Sequence, residues 1–328
     1  MPSRYLAVKQ ENSAGVAATS GWSYIDFVAD TWALDNQATA VHTAAYRYAK
    51  CLLPGPLKIT GGWDQFIAAD NVGWLLKWGL GAVNTSAGTS GYHVSLFMPA
   101  DTLKTFTVVE CKDDLFERYY GCKVNSLTFD ATLKQPLSLT VAATAMMTSI
   151  TSGQYASGVT YPTDCPFNMA EGTVEIDDAV VGYVKAANVK VENTLLGDDA
   201  YTIVGSAAIA RFATQMPEGM RTVTGRMDMR FDDQTELKRF YGSTSQTTPQ
   251  STLTPAKVEL IFQRGSDSAT RGMTIELPAV YYDTYRANVN LRDLIVQNVD
   301  FTAAYTNSGD PDIKVLLTTA SGVLFADP

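Results

Sequence analysis

The feature that most constrains the fold of this chain is a segment that occurs twice, half the chain apart. Residues 59–64 read ITGGWD and residues 223–228 read VTGRMD, an offset of 164 residues, from 59 to 223, in a chain of 328. Each segment leads into a short amphipathic stretch that ends at glycine, residues 70–81 and 232–242. Because neighbouring elements recur in the same order, we interpret the chain as two copies of one domain in tandem.

Further matches extend the duplication along both halves. Runs rich in Ser, Thr and Gly follow at residues 84–91 and 243–255. In the β-patterned segments that come next, residues 125–131 align with 297–303, and residues 137–145 align with 312–320. The alternative, two unrelated β-rich domains with similar turn residues, stays open at this point.

The duplication predicts one domain over residues 1–160 and a second over residues 161–328. A chain of 328 residues agrees with two domains of ordinary size. A linker is expected within residues 149–166, where Gly, Ser, Thr and Pro concentrate. Residues 19–53 fit the repeat least well, and we interpret them either as an extended arm that lies on a neighbouring subunit or as an ordinary connecting excursion.

The composition is that of a globular protein without a membrane-spanning segment. Hydrophobic residues make up 46% of the chain, which is enough for two cores. No run of about 18 apolar residues occurs, and residues 1–15 lack the apolar stretch of a secretion signal. We therefore expect no membrane insertion by this chain, and a protein that is made and kept in a cytoplasm until it is released in some other way.

Cysteine and histidine offer no metal site. The four cysteines are Cys51, Cys111, Cys122 and Cys165. They show no C-x-x-C spacing, and we expect them to be reduced and partly buried. A catalytic triad would have to use His42 or His93, the only two histidines. The sequence thus predicts no metal, no cofactor and no catalytic set built on histidine.

Neighbouring carboxylates are the remaining catalytic candidates, because such pairs can bind a cation or hydrolyse a glycoside. The pairs are Asp113-Asp114, Asp177-Asp178, Asp198-Asp199 and Asp232-Asp233. Adjacent residues of a strand point to opposite faces, and acids in turns mostly cap or solvate the backbone. We therefore predict that the protein is not an enzyme. A β-rich carbohydrate-binding or carbohydrate-active module is an alternative, in which Trp63, Trp74 and Trp78 would be exposed.

The charge disfavours tight binding of nucleic acid. The net charge is −9, and residues 1–165 hold 11 basic and 13 acidic side chains against 14 and 21 in residues 166–328. A protein that grips DNA needs basic groups to replace condensed counterions. An acidic balance instead suits a surface that DNA passes without sticking, since like charges repel.

Alternation of apolar and polar residues predicts a mainly β fold of antiparallel strands. Residues 222–231 alternate with period two, and residues 57–64 do so less cleanly. The other predicted strands are residues 94–98, 105–111, 123–132, 183–193, 257–263 and 273–277. Each half adds one short helix: Asp70 is the expected cap of the first, and Asp232 or Asp233 that of the second. Val72, Leu75, Leu76, Leu237, Phe240 and Tyr241 are expected to pack.

Several segments together resemble the tail tube proteins of long-tailed bacteriophages, in the version with two tube domains per chain. They are RYLAVKQENSAGVAA from residue 4, DNVGWLLKWGLG from 70, LKTFTVVECKDDLFERYYGCKV from 103, and the closing VDFTAAY and DIKVLLTTA. The stretch FERYYGCKVNSLTFDA at residues 116–131 is the most specific. The resemblance spans nearly the whole chain and implies two tandem tail-tube-like antiparallel β-sandwich or barrel domains, each with one short flanking α-helix.

The resemblance implies a virion protein that assembles itself into stacked trimeric, pseudo-hexameric rings, which form the hollow tail tube through which DNA is ejected. Expected partners are further copies of the chain, the tape measure, terminator and tail-tip proteins, and DNA in transient passage. A duplicated subunit favours a non-contractile tail. A fibre or decoration protein with tandem β-domains remains the alternative structural reading.

On this model two sets of residues are candidates for contact. The lumen-lining candidates, from the polar side of the two repeated strands, are Lys58, Thr60, Asp64, Thr222, Thr224, Arg226, Asp228 and Arg230. The ring-stacking candidates, from the two polar loops, are Asn84, Thr85, Ser86, Ser90, Ser245, Gln246, Gln250 and Ser251. Which face of the sheet lines the lumen stays open, and deletion of residues 245–252 is expected to block polymerisation without unfolding the monomer.

Overall fold

Strands make up most of the structure. The computed structural model describes residues 4–87, 93–151, 159–202, 211–265, 271–289, 294–307 and 309–319. In the first half the strands are β1 (Arg4–Gln10), β2 (Ser23–Ile25), β3 (Phe27–Asp30), β4 (Ala33–Asp35), β5 (Thr39–Val41), β6 (Cys51–Leu53), β7 (Lys58–Phe66), β8 (Gly81–Ala87), β9 (His93–Pro99), β10 (Phe106–Lys112), β11 (Leu115–Thr132), β12 (Ser138–Ala145) and β13 (Met147–Thr151), with helix α1 (Gly73–Leu80) between β7 and β8.

The second half contains a similar succession. Its strands are β14 (Gly172–Ile176), β15 (Ala179–Val180), β16 (Val184–Glu192), β17 (Thr222–Arg230), β18 (Ala256–Arg264), β19 (Arg271–Asn288), β20 (Val296–Ala303) and β21 (Lys314–Thr319), with helix α2 (Thr235–Tyr241) between β17 and β18. Short 3₁₀ turns lie at Met169–Glu171 and Gly197–Ala200. The mainly β prediction is confirmed, and most of the predicted strands are found within a few residues of their expected bounds.

One antiparallel sheet, which we call the long sheet, runs through both halves of the chain. Its order is β7–β12–β11–β16–β17–β20–β19, and β3 and β4 pair with successive parts of β7 at the first edge. The β11–β16 pair joins the halves, with Thr128 opposite Lys190. The polypeptide therefore forms one continuous wall rather than two separate sheets.

Two smaller sheets pack on the apolar side of the long sheet. The first has the order β2–β1–β10–β11–β13, and the second has the order β15–β14–β18–β19–β21–β9–β8. The β8–β9 hairpin belongs to the first half of the chain, yet β9 pairs with β21 of the second half. β11 and β19, each 18 residues long, pass from a small sheet into the long sheet.

The irregularities of the ladders occur at matching places in the two halves. Breaks of register lie between Val124 and Ser126 in β11, Tyr282 and Thr284 in β19, Phe106 and Val108 in β10, Ala256 and Val258 in β18, Phe27 and Ala29 in β3, and Val184 and Ala186 in β16. The break in β3 falls opposite Asp64 and Gln65, and that in β16 falls opposite Asp228 and Met229. A bulge bends its strand and increases its twist, so matching bulges give the halves matching bends.

The glycine of the repeated T-G dipeptide has a packing role in each half. A Cβ atom on Gly61 would lie 2.6 Å from the ring of Trp32. A Cβ atom on Gly225 would overlap the ring of Phe301, which lies directly opposite on β20. In both halves the missing side chain leaves room for an aromatic ring on the core side of the strand.

Helix α1 packs as predicted, Phe240 of α2 packs against the core while only partly buried, and neither helix begins at the expected cap. Val72, Leu75 and Leu76 are fully buried, and α1 lies close to β11. The expected cap was wrong in α1, because Val72 occupies the N-cap position and Asp70 pairs with Arg271 at 3.3 Å instead. The expected cap was wrong in α2 as well, because Gln234 occupies the N-cap position, although Asp233 just before it accepts the backbone N–H of Thr235 at 2.8 Å.

Two further expectations from the sequence are corrected. Asn84, Thr85 and Ser86 do not form a loop, because they belong to β8, where they pair with β9. The Thr85 and Ser95 hydroxyl groups hydrogen-bond across this hairpin at 3.0 Å, so polar side chains are accommodated in a paired strand here. Ser90 lies outside the described residues. Ser245, Gln246, Gln250 and Ser251 do lie in a loop, between α2 and β18.

The second correction concerns which segments correspond. Residues 125–131 lie in β11 and residues 297–303 lie in β20, so they occupy different positions in the long sheet. β20 pairs with β17 as β12 pairs with β7, which makes β12 the counterpart of β20. Short alternating segments resemble one another whichever strand they form, and the similarity of letters was therefore misleading.

Residues 19–53 form strands at their beginning and a hairpin at their end. β2 pairs with β1, and β3 and β4 pair with β7. β5 and β6 pair with each other and with no other strand of the described chain. We call residues 36–57, which contain this hairpin, the arm. Just before it, Trp32 stacks on Tyr119, with ring centroids 4.3 Å apart.

A buried carboxyl group lies where β3 meets β10. Glu110 is almost fully buried, and its carboxylate forms an ion pair with Lys112 at 2.8 Å. Burial raises the pKa of Glu110 to about 7; the ion pair with Lys112 opposes the rise, and the nearby Asp30 adds to it. The folded protein thus keeps this proton to a higher pH than the unfolded chain does.

Stability should fall with rising pH because of this group. A carboxyl group whose pKa is raised by folding contributes most below its ordinary value of 4.5, and the contribution is lost as the pH rises towards about 7. We expect urea unfolding of the wild type to show a loss of about 1–3 kcal/mol between these limits. The Glu110→Gln variant should lack this loss, and parallel pH profiles for the two proteins would contradict the assignment.

The close approach of β7 and β12 predicts a second stability effect. A Cβ atom on Gly62 would overlap the carbonyl oxygen of Val141, whereas one on Gly182 would meet nothing within 4 Å. Gly62→Ala should therefore lower the free energy of unfolding by about 1–3 kcal/mol, because the strands must separate. Gly182→Ala is the matched control, expected to be nearly neutral in the same denaturation experiment. Equal effects of the two changes would rule out the steric explanation.

Candidate functional surface on the long sheet

The eight residues predicted to line a lumen lie on one face of the long sheet. On β17, Val223, Met227 and Met229 are buried in the core, and the residues between them point the other way. The same holds on β7, where Ile59 and Trp63 are buried. The face opposite the core therefore contains Lys58, Thr60, Asp64, Thr222, Thr224, Arg226, Asp228 and Arg230. We call it the polar face.

The register adds further residues that the sequence reasoning missed. Cross-strand partners point to the same side of a sheet, so each neighbour of a polar-face residue belongs to the polar face. The polar or charged neighbours are Asp35, Lys123, Ser126, Thr128, Asp130, Thr132, Ser138, Thr140, Thr144, Asn188, Lys190, Glu192, Asp283, Thr284, Arg286, Asn288, Asn298, Asp300 and Thr302. The signal was the same alternation in residues 126–132, 186–192 and 296–302.

The charges of the polar face nearly cancel. Its cationic side chains are Lys58, Lys123, Lys190, Arg226, Arg230 and Arg286, and its carboxylates are Asp35, Asp64, Asp130, Glu192, Asp228, Asp283 and Asp300. Six positive and seven negative groups leave a net charge of −1. The acidic excess of the whole chain is therefore mostly located elsewhere.

Neutral donors satisfy most of the carboxylates. Hydroxyl groups donate to Asp64 from Thr140, to Asp130 from Thr132, and to Asp283 from Thr302, each at 2.6 Å. The hydroxyl group of Thr284 donates to Asp300 at 2.5 Å, and the amide of Asn298 donates to Asp228 at 2.6 Å. These carboxylates are held by short hydrogen bonds to uncharged neighbours within the sheet.

Two cations are bound by acids of the same face. Arg226 lies 2.9 Å from Asp228, whose hydrogen bond raises the pKa of the guanidinium group further above its ordinary range. Lys190 lies 2.6 Å from Glu192. Because these two cations already have acidic partners, they are less available to a phosphate backbone.

Among the neighbouring acids that might have formed a catalytic site, the pair Asp177-Asp178 has other contacts. Asp177 accepts the backbone N–H of Lys257 at 2.9 Å and pairs with Arg239, and Asp178 accepts from the Lys257 ammonium group at 2.8 Å. No cluster of metal-ligating side chains occurs within the described ranges. Trp63 and Trp78 are buried rather than exposed, which removes the aromatic platform expected of a carbohydrate module.

Together these features describe a two-sided antiparallel sheet, with the core on one side and the polar face on the other. The chain matches the family model of the phage tail tube protein over residues 3–303 and belongs to that family. No curated protein sequence matches it. The family resemblance seen in the sequence is thereby confirmed, and the chain is a structural component of the virion tail that assembles with itself and with other tail proteins. Within the described part of the chain, neither helix is long and apolar enough to cross a membrane.

The balance of charge on the polar face predicts how the chain responds to DNA. Asp64→Lys, Asp130→Lys and Asp228→Lys together should create a cationic stripe, and the affinity for double-stranded DNA at low salt should rise at least about tenfold. Fluorescence anisotropy with a labelled duplex would measure it, and added salt should reverse it.

The matched control changes the same net charge elsewhere. Asp101, Asp114 and Asp199 are exposed and lie outside the polar face. Their replacement by lysine should raise affinity much less, because the new charges are dispersed. Equal binding by the two triple variants would show that the polar face has no special role.

Proposed function

We propose that three copies of this chain close into a ring, that rings stack into the hollow tube of the tail, and that the polar face lines the bore through which DNA leaves. The observation that supports this proposal is the β11–β16 pair, which joins one half of the chain to the other edge to edge. The same joint, repeated between chains, would extend the long sheet until it closes on itself.

The proposal treats the two halves as repeats of one domain, over residues 1–160 and 161–328. The matching bulges support this division more strongly than the sequence similarity does. Both long strands break register at corresponding places against the next strand of the long sheet. The break in β11 lies between Val124 and Ser126, opposite β12, and the break in β19 lies between Tyr282 and Thr284, opposite β20. Six such repeats, the number implied by pseudo-hexameric rings, correspond to three chains.

The two edges of the long sheet are open where the ring would close. Residues 281–288 of β19 pair with β20 on one side and with no described strand on the other. β3 and β4 pair with β7 on one side alone, among the described residues. β19 is the counterpart of β11, and β3 with β4 is the counterpart of β16, so the open edges repeat the two partners of the internal joint.

The counterparts fix the register of the proposed joint. Ser126 and Thr284 correspond, because each is the first residue after the break in its strand. Asp35 and Glu192 correspond, because they lie opposite the first residues of β7 and β17. Ser126 is opposite Glu192 within the chain. The joint between chains therefore sets Thr284 opposite Asp35 and, two residues further along each strand, Arg286 opposite Ala33 of the neighbour.

The polar face is the side that suits a bore. The other side of the long sheet is covered by the helices and the small sheets, which together form the core. A wall whose positive and negative charges nearly balance presents little net attraction to DNA, so a polyanion can move along it. In the proposed ring the eight lumen candidates from the repeated strands recur three times around the bore.

Further contacts of the proposed tube are inferred from membership of the family. The exposed loop with Ser245, Gln246, Gln250 and Ser251 is a candidate for contact between rings. The tape measure, terminator and tail-tip proteins are the proposed partners, assembly takes place in the host cytoplasm, and the duplicated subunit favours a non-contractile tail. A fibre or decoration protein would need no closed sheet, and electron microscopy of purified protein would show solid or globular particles instead of rings.

The register of the joint can be tested by cross-linking. Directly opposite residues of antiparallel strands lie close enough for a disulfide. Ala33→Cys with Arg286→Cys, in a background of Cys51→Ser and Cys165→Ser, should give covalent trimers on mild oxidation, seen as a band of three times the monomer mass. Each chain then offers one cysteine to the neighbour on either side.

The control uses the two single variants mixed in equal amounts. Each chain then has one reactive edge, so covalent dimers should form and covalent trimers should not. A double variant that forms rings in electron micrographs but stays monomeric after oxidation would contradict the register. Absence of rings from the wild-type protein itself would contradict the proposed function.

A further inference from the structure

Strands β4 and β16 lead into the same kind of corner, built from an asparagine, a residue with positive φ and a packed glycine. The first corner consists of Asn36, Gln37 and Gly55, and the second corner consists of Asn193, Thr194 and Gly219. The middle residue has a φ of 42° in the first corner and 45° in the second. In each corner a Cβ atom on the glycine would overlap the carbonyl oxygen of the middle residue. The two corners are therefore counterparts.

The first corner is filled by Arg211 from the second half of the chain. The Nε atom of Arg211 donates to the carbonyl oxygen of Gly55 at 2.9 Å, and its Nη2 atom donates to Oδ1 of Asn36 at 2.6 Å. The Nδ2 atom of Asn36 donates to no described residue. This corner thus uses the acceptor of its asparagine and leaves the donor unused.

The second corner uses the opposite atoms of its asparagine. The Nδ2 atom of Asn193 donates to the carbonyl oxygen of Gly79 in α1 at 2.9 Å and to that of Val124 in β11 at 3.1 Å. Its Oδ1 atom and the carbonyl oxygen of Gly219 accept no hydrogen bond from a described residue. An open groove of about 430 Å³ lies beside them and is lined in part by Met220. The second corner therefore has acceptors and space where the first corner holds an arginine.

The end of α2 lacks the donor that the end of α1 receives. Each helix ends at a glycine with positive φ, Gly81 and Gly242, so Phe240 is the counterpart of Gly79. The carbonyl oxygen of Phe240 accepts no hydrogen bond from a described residue. Carbonyl groups in the last turn of a helix need partners from outside the helix. At α1 that partner is Asn193, and at α2 the place is open.

Arg47 in the arm is the counterpart of Arg211. The letters RYA begin at Arg47 and the letters RFA begin at Arg211, an offset of 164 residues, from 47 to 211, which equals that of the T-G segments. Three residues after each arginine, at Lys50 and Thr214, a backbone N–H donates across to the preceding segment at 2.8 Å. Arg47 is exposed and makes no hydrogen bond or ion pair with another described residue.

We propose that Arg47 of one chain fills the second corner of its neighbour in the same ring, while Asn36 of the first chain donates to the carbonyl oxygen of Phe240 in that neighbour. This inference rests on the ring proposed above and names a second copy of the chain as the partner. It repeats, across the joint between chains, the contacts that Arg211 and Asn193 make within one chain.

The direction of these contacts agrees with the register of the joint. That register sets Asp35, the residue before Asn36, opposite Thr284 of the same neighbour. Both new contacts then run from the first half of one chain to the second half of the other, as both known contacts run from the second half to the first. The amide of each asparagine is used at both ends only in the closed ring, which makes the corners incomplete in the monomer.

The first test removes the guanidinium group of the arm. Arg47→Ala should leave the monomer folded, because this side chain is exposed, but the protein concentration needed for rings should rise at least about tenfold. Arg47→Lys should be impaired as well, since an ammonium group cannot reach two acceptors as a fork does. Sedimentation velocity measures the ring fraction. Lys50→Ala removes the same charge from the arm and is the matched control, because its counterpart Thr214 stays exposed.

The second test separates the two ends of the Asn36 amide. Asn36→Asp keeps the acceptor for Arg211 and removes the donor for Phe240, so thermal unfolding of the monomer should not be lowered while ring formation weakens at least about tenfold. Gln37→Glu adds the same charge one residue further and should form rings normally, because its counterpart Thr194 is exposed. Equal ring formation by Asn36→Asp and the wild type would overturn the contact with α2.

A third test asks which copy the arm meets. Within the chain the backbone of Arg211 lies against Leu57, whose N–H donates to its carbonyl oxygen at 2.7 Å. The counterpart of this contact sets Arg47 against Arg221 of the neighbour, next to Met220. The Met220 side chain is 82% exposed and lines the groove of the second corner, so a thiol introduced there can be reached by a reagent.

Arg47→Cys with Met220→Cys, in a background of Cys51→Ser and Cys165→Ser, should give covalent trimers with a short bismaleimide. The reaction is run at a concentration where electron micrographs show rings, and the same limit of three chains should hold in tubes. Covalent species larger than trimers from tubes would show that the arm meets a chain of the next ring, and would overturn the proposal.

Rings that stay monomeric after reaction would also overturn it, as would ring formation by Arg47→Ala and Arg47→Lys at the wild-type concentration. Failure of the wild type itself to form rings would overturn the proposed function. The two failures are distinguishable, because the first leaves the ring intact.

Discussion

The backbone ladder between β11 and β16 is the interaction on which the rest of the structure depends. It sets Ser126 opposite Glu192 and turns two half-chains into one sheet with a continuous core on one side and a continuous polar face on the other. An antiparallel ladder leaves unpaired groups at its last strand, and a sheet that ends at β19 and β3 therefore still has bonding capacity at both sides. The same chemistry that joins the halves is available to join chains.

The sequence predicted the parts of this fold that depend on side-chain period. Alternation in residues 222–231 placed Arg226 and Asp228 on the correct face, because a strand with one buried side must alternate. The alternation did not predict which strands are neighbours in the sheet, because pairing is decided by long-range ladders that local patterns do not encode. Residues 84–87 were misread for a related reason: polar residues suit the exposed side of a hairpin as well as a loop.

The polar face could be predicted only in part. Two of its strands, β7 and β17, were recognised because both contain the T-G segment. The glycine of that segment makes room in the core for the rings of Trp32 and Phe301. The hydrogen bonds that neutralise the face, such as Thr140 to Asp64, join residues 76 positions apart. Such pairs can be identified only when the strand register is known, so the hydrogen bonding of the carboxylates on the polar face could not be predicted from the sequence.

The β8–β9 hairpin has a consequence for symmetry. It crosses from the first half to the small sheet of the second half, and its position in the second half is occupied by the shorter loop between α2 and β18. In a ring of three chains, the β8–β9 hairpin would cross every second boundary between repeats on the outside, and the other boundaries would lack it. The inner surface of such a ring would be nearly sixfold symmetric, whereas its outer surface would be distinctly threefold.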